Sequence, residues 1–221
     1  MLAADLISDT LPVLVPSDTG QQALDRMDVF RVSHLPLVNE KAYLGLVSDK
    51  FIEDLNLAGT RFDSLTVQLP APHVHMNQHI YEVAATLSVL NLSVLPVVND
   101  EHHYAGSILL FDFSKELTRL MSIPEPGGII ILQTTRNNYS ASQISQIIEG
   151  NDARILSLMV NKISDTDNLE ITIKLDRVDL SAVIQTFTRY DYQITAVYMD
   201  DSMLHTMYED RFELFLKYMN I

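Results

Sequence analysis

Cysteine is absent from the 221 residues. Its absence excludes disulfides, thiolate metal centres and cysteine nucleophiles. No apolar run reaches the roughly 18 residues that a helix needs to cross a membrane. The amino terminus, Met1-Leu-Ala-Ala-Asp-Leu-Ile-Ser-Asp9, carries acidic residues where a secretory leader carries basic ones, which predicts a cytoplasmic protein with no membrane partner. Basic side chains are scarce, with 15 Lys and Arg against 29 Asp and Glu and a formal net charge of −14. Residues 1–124 hold 15 acidic and 7 basic residues, hence −8, and the remainder hold 14 and 8, hence −6. Both halves are acidic and neither clusters its cations. Binding nucleic acid requires several phosphates to be neutralised, so nucleic acid is not expected as a partner. Also missing are Gly-x-Ser-x-Gly, His-Glu-x-x-His and the phosphate-binding P-loop. No nucleophile–base pair replaces them, so no catalytic residue is assigned and a non-enzymatic protein is expected.

What the chain does have is a repeat. Ser33-His-Leu-Pro-Leu-Val-Asn39 recurs sixty residues later as Ser93-Val-Leu-Pro-Val-Val-Asn99, with five of seven positions identical. Each copy is followed by a tyrosine and, two residues on, a glycine: Tyr43 and Gly45, then Tyr104 and Gly106. A fixed-period repeat means that two copies of one unit stack, and the seam between such copies favours a ligand cleft. Hydrophobic residues make up 47% of the chain, enough for a core in more than one domain.

Each copy reads β-α-β-β-α. In the first, Thr10–Pro16 is an extended entry, because Pro12 and Pro16 cannot sit inside a helix. Ser17-Asp-Thr signals a helix start, and Ala23, Leu24, Met27 and Phe30 form one face of the helix that follows. Strands at Leu35–Val38 and Tyr43–Val47 precede a helix beginning near Ser48. The second copy repeats this with an extended entry from Val67 to His75, a possible cap at Asn77 and a helical face of Ile80, Val83, Ala84, Leu87 and Leu90. Strands at Val94–Val98 and Tyr104–Leu110 and a helix over Phe111–Met121 complete it.

Ile123-Pro-Glu-Pro-Gly-Gly128 reads as a linker. Beyond it lie a strand from Ile129, a helix capped by Ser140, strands at Ile155–Ile163 and Leu169–Leu175, a helix capped by Asp179 and a strand at Ile194–Tyr198. That β-α-β-β-α-β order is the ferredoxin-like arrangement. Met207, Phe212, Phe215, Leu216 and Met219 give the tail an amphipathic stripe. The expected fold class is α/β (α+β), divided as residues 1–60, 61–122, a linker at 123–128, a ferredoxin-like domain at 129–201 and a terminal amphipathic helix at 202–221.

Leu35-Pro-Leu-Val38 and Leu95-Pro-Val-Val98, with Gly45-Leu-Val-Ser48 and Gly106-Ser-Ile-Leu109, resemble CBS domains, and the tandem over residues 1–121 resembles a Bateman module. Residues 128–200 are similar to an ACT domain. The whole order is similar to the acetoin-utilisation accessory proteins of bacteria. The resemblance implies a regulatory protein whose clefts bind an adenosyl compound such as AMP, ATP or S-adenosylmethionine, with no required cofactor. It also implies a homodimer acting on an unknown protein partner. The alternative is a ligand-free dimerisation scaffold.

For the adenosyl ligand the resemblance nominates His34, Pro36, Gly45 and Ser48 in the first copy and Val94, Pro96, Gly106 and Asp112 in the second. Its marker is Gly-x-x-Ser/Thr-x-x-Asp. Phe51 replaces the ribose-binding aspartate in the first copy, and Leu109 replaces the hydroxyl in the second. This points to the Asp112 side. A lost charge-assisted ribose bond costs about 1.5–3 kcal/mol. Lys41, Lys50, Lys115 and Arg119 are the nearby phosphate partners, too few in an acidic half to favour a triphosphate. In the ACT-like part, the loop Arg136, Asn137 and Asn138 stands where an amino-acid site is expected, though it lacks the usual glycine.

His73 and His75 share one face of an extended segment with His79 close by, and His102 and His103 lie in the second hairpin. Imidazoles spaced i, i+2 can ligate zinc. Nothing in the sequence places the two groups together, so they read as exposed loop histidines and no metal is assigned.

Overall fold

A computed structural model describes residues 1–8, 10–65 and 68–199. The chain divides after Leu117 into two compact units. The expected tail helix lies outside the described residues.

In the amino-terminal unit the first repeat comprises α1 (Gly20–Phe30), β1 (His34–Asn39), β2 (Ala42–Ser48) and α2 (Asp49–Asp54). Thr19 caps α1 through a capping box with Gln22, which satisfies first-turn N–H groups. The second repeat comprises β3 (Val74–His75), α3 (Ile80–Val89), β4 (Val94–Val98), β5 (Tyr104–Leu109) and α4 (Leu110–Leu120). His79 caps α3, accepting from the Tyr81 N–H, in place of the expected Asn77.

The sixty-residue period reaches the backbone. Leu14 bridges Leu37 in parallel, as Val74 pairs with Val97. The antiparallel hairpins slip register at Leu37/Val38 and at Val97/Val98. Arg31 and Asn91 close α1 and α3 with φ of 53° and 51°. Gly45 and Gly106 have φ of 150° and 151°, a region open to glycine.

The repeats also exchange segments. A 3-10 turn, Ala3–Leu6, packs into the core of the second repeat, and Ala3 and Ala4 N–H groups donate to the Gln78 and Met76 carbonyls. In return Leu69 packs on the first repeat's core, and the Leu46 N–H donates to the Pro70 carbonyl. The close approach explains both strand glycines. A Cβ on Gly45 would lie 2.6 Å from Leu69 Cβ, and one on Gly106 would lie 2.4 Å from Ile7 Cγ2.

The carboxy-terminal unit runs β6 (Ile129–Thr135), α5 (Ala141–Glu149), β7 (Ile155–Lys162), β8 (Asn168–Leu175), α6 (Ser181–Arg189) and β9 (Gln193–Tyr198). Its antiparallel sheet has the order β7-β8-β6-β9, the ferredoxin-like arrangement. Ile130, Leu132, Ile171 and Ile173 face Ile144, Ile148, Val183 and Phe187 in one buried cluster. Strict alternation on β8 sets this face, because successive side chains on a strand point to opposite sides. Ser140 caps α5 as expected.

Candidate ligand cleft between the repeats

A cavity of about 370 Å³ opens at the seam of the two repeats. Three elements build it. β1 and β2 supply His34, Leu46 and Ser48; the Pro70-Ala-Pro72 segment supplies one wall; Leu90 and Leu92, just after α3, supply the other. Leu46 and Leu92 are buried, and Leu90 is half exposed at the mouth. The proline wall is held firmly. The carbonyls of Pro70, Ala71 and Pro72 accept from Leu46 N–H, His73 Nδ1–H and the Tyr43 hydroxyl. Two prolines with fixed φ stiffen it further.

His34 and Ser48 are the polar side chains of this apolar cleft. Ser48 Oγ accepts from the Phe51 N–H, 3.1 Å away, and so caps α2. His34 Nδ1 lies 3.0 Å from Ser93 Oγ and 3.3 Å from the Ser93 backbone N–H, which can only donate. Accepting there leaves the neutral ring's proton on Nε2. Burial pushes the His34 pKa below its ordinary value. Asp49 opposes that shift, and Lys50 adds to it. At neutral pH the cleft therefore presents a neutral imidazole beside a hydroxyl. Apolar walls with few placed polar groups suit a flat heterocycle rather than a highly charged group.

The other nominated residues fall elsewhere. Pro36, Pro96 and Val94 are buried within β1 and β4. Gly45 and Gly106 are packed against Leu69 and Ile7. Asp112 is half exposed and lines a separate depression of about 270 Å³ with Asp5, Ile7 and Ser8; Lys115 Nζ is 3.4 Å from its carboxylate. Across the repeat symmetry the counterparts of His34, Ser48 and Leu92 are Val94, Leu109 and Val32, all apolar and packed with the first repeat's core. Sequence reasoning missed Pro70, Ala71 and Pro72, because a segment crossing from one repeat onto the other leaves no periodic signal.

In the carboxy-terminal unit, Asn138 lines a cavity of about 470 Å³ with Gln133, Thr134, Gln143 and Tyr192. Arg136 and Asn137 belong to the same turn, and the Arg136 N–H donates to the Asp167 carbonyl. The Tyr192 hydroxyl donates to Gln143 Oε1 at 2.8 Å.

The histidines depart from expectation. His73, His75 and His102, read from the sequence as separate loop residues, converge, and one ring nitrogen of each lies within 4.8 Å of the others.

A family model for the CBS domain matches residues 3–50. The first repeat has the CBS-domain fold. The second repeats its element order, register slip and strand glycine, and the unit has the CBS-pair fold. Among solved structures the chain is similar to a CBS domain pair/ACT domain protein from Thermotoga maritima, at 22% identity and a TM-score of 0.46 over 54% of this chain and 98% of that one. It is similar to CBSX2, solved in complex with AMP, at 21% identity and a TM-score of 0.44 over 53% of this chain and 96% of that one. A CBS domain pair solved with 5-methylthioadenosine and S-adenosyl-L-methionine matches at 20% identity and a TM-score of 0.43, over 54% of this chain and 97% of that one. No described helix is long and apolar enough to cross a membrane.

Proposed function

We propose that this is a regulatory, ligand-sensing protein and that the cleft between its CBS repeats takes an adenosyl compound. The observation that carries the reading is the cavity walled by Leu46, Leu92 and the Pro70–Pro72 segment, with His34 and Ser48 as its polar groups. Its walls suit a purine. His34 and Ser48 offer hydrogen bonds to the base or ribose, and the ribose bond lost at Phe51 limits affinity. The surrounding acidity favours AMP or S-adenosylmethionine over ATP. Binding shifts the angle between the repeats, and the ferredoxin-like unit, acting as an ACT-like dimerisation domain, passes that shift to a second copy or a protein partner. The domain order supports a place beside the acetoin-utilisation accessory proteins.

Calorimetric titration with AMP, ATP and S-adenosylmethionine tests this. Saturable heat with AMP or S-adenosylmethionine is expected, together with its loss in Leu92→Trp, which fills the cavity. No heat with any of the three would leave the second reading, a ligand-free scaffold. Phe51 at the ribose position and the apolar Val94 and Leu109 in the second repeat favour that alternative.

A further inference from the structure

Three histidines from two separate stretches of the second repeat meet at one surface point. His73 and His75 flank the buried Val74 on the strand that enters the repeat, so their rings share the opposite face. Parallel pairing sets His75 opposite Val98, and the chain then turns at once through Asn99–His103. The Asn99 side chain holds that turn by accepting from the N–H groups of Glu101 and His103. His102 sits at its tip with φ of 59°. The result is a triangle of imidazoles with ring centroids 5.5 Å (His73–His75), 5.3 Å (His75–His102) and 6.1 Å (His73–His102) apart.

We propose that His73, His75 and His102 bind a zinc-class divalent transition metal. Tetrahedral coordination by nitrogens about 2.0–2.1 Å from zinc sets them about 3.3 Å apart. The nitrogens here lie within 4.8 Å, so small ring rotations at the surface close the site. A backbone contact sets the tautomer of His73. Its Nδ1 is 2.9 Å from the Ala71 carbonyl, which only accepts, so Nδ1 carries the proton and Nε2 the lone pair. A backbone carbonyl on the non-ligating nitrogen is the partner that metal-bound histidines commonly use, because it fixes both tautomer and ring direction. Tyr43 packs edge-on to His73 at 6.1 Å and anchors itself to the Pro72 carbonyl. Three neutral imidazoles select zinc, copper or nickel over magnesium or calcium, which prefer oxygen. A fourth position is left for water. The bound ion would clamp the entry strand to the β4–β5 hairpin.

The test uses the full chain, stripped with EDTA and titrated with zinc against a chromogenic chelator. Binding of one equivalent at micromolar affinity or tighter is expected, with cobalt(II) giving the visible bands of four-coordinate geometry. His75→Gln and His102→Gln should each weaken binding about tenfold or more. His103→Gln, on the same hairpin but paired with Glu101, should not. In the unaltered protein, zinc should protect His73, His75 and His102 from diethyl pyrocarbonate while His103 still reacts. The proposal is overturned by an absence of saturable zinc binding, by binding that both variants leave unchanged, or by equal protection of all four histidines.

Discussion

The backbone N–H of Ser33 donates to the hydroxyl of Ser93, 2.9 Å away, although the two residues are the same position of the repeat. Equivalent residues touch only where the axis relating the copies passes between them. The signature that marks the duplication is thus also the joint of the pair. His34, next along the chain, faces the same hydroxyl and borders the cleft.

That joint should be sensitive to acid. Burial lowers the His34 pKa from its ordinary value near 6.5, so the unfolded chain binds a proton there more readily than the folded one. Stability from this residue is complete above pH 6.5 and declines as pH falls from there through the lowered folded value. Thermal melting between pH 7.5 and 5 should show the decline, and His34→Gln should flatten it relative to the unaltered protein.

Gly45→Ala should destabilise the amino-terminal unit by about 3 kcal/mol, from backbone strain at φ of 150° plus overpacking against Leu69 Cβ. Gly59→Ala is the control, since an added Cβ there has nothing within 4 Å, and it should stay within about 0.5 kcal/mol of the parent. Urea midpoints compare the two. A neutral Gly45→Ala would mean that the entry segment does not cross the strand as described.

Asp18 and Arg26 form a forked pair, with Arg26 Nη1 2.7 Å from Oδ2 and Nη2 3.1 Å from Oδ1. The carboxylate is buried and the guanidinium about one-third exposed. Arg26→Ala strands a buried charge that keeps, among the described residues, the Val15 N–H, and should cost about 3 kcal/mol. Asp18→Ala leaves a cation that can reach water and should cost less, about 2 kcal/mol. In the double variant the losses should sum to less than the two singles, and a double-mutant cycle by denaturant unfolding measures the difference.

Phe187 is fully buried among the ferredoxin-like core residues, with its ring 5.3 Å from that of Tyr192. Phe187→Ala should cost the carboxy-terminal unit about 4 kcal/mol, the transfer loss plus the cavity left behind. Urea unfolding followed by circular dichroism reads it. A loss below about 1 kcal/mol would contradict the packing.

Most of the architecture could be read from residue order. Hydrophobic periods of 3.6 and 2 are local, and the caps at Thr19 and Ser140 and the strict alternation of Leu169–Leu175 act within one element. The duplication was equally legible, because equal sequence imposes equal register, down to the paired bulges and the paired glycines at 45 and 106. Tertiary structure decided what meets what. The Pro70–Pro72 segment crosses onto the first repeat and walls a cleft that residue spacing alone did not locate. Parallel pairing of His75 with Val98 brings together His75 and His102, which are twenty-seven positions apart in the chain. Both depend on backbone hydrogen bonds between distant strands. Such bonds are nearly indifferent to side-chain identity, so they leave little trace in the order of residues.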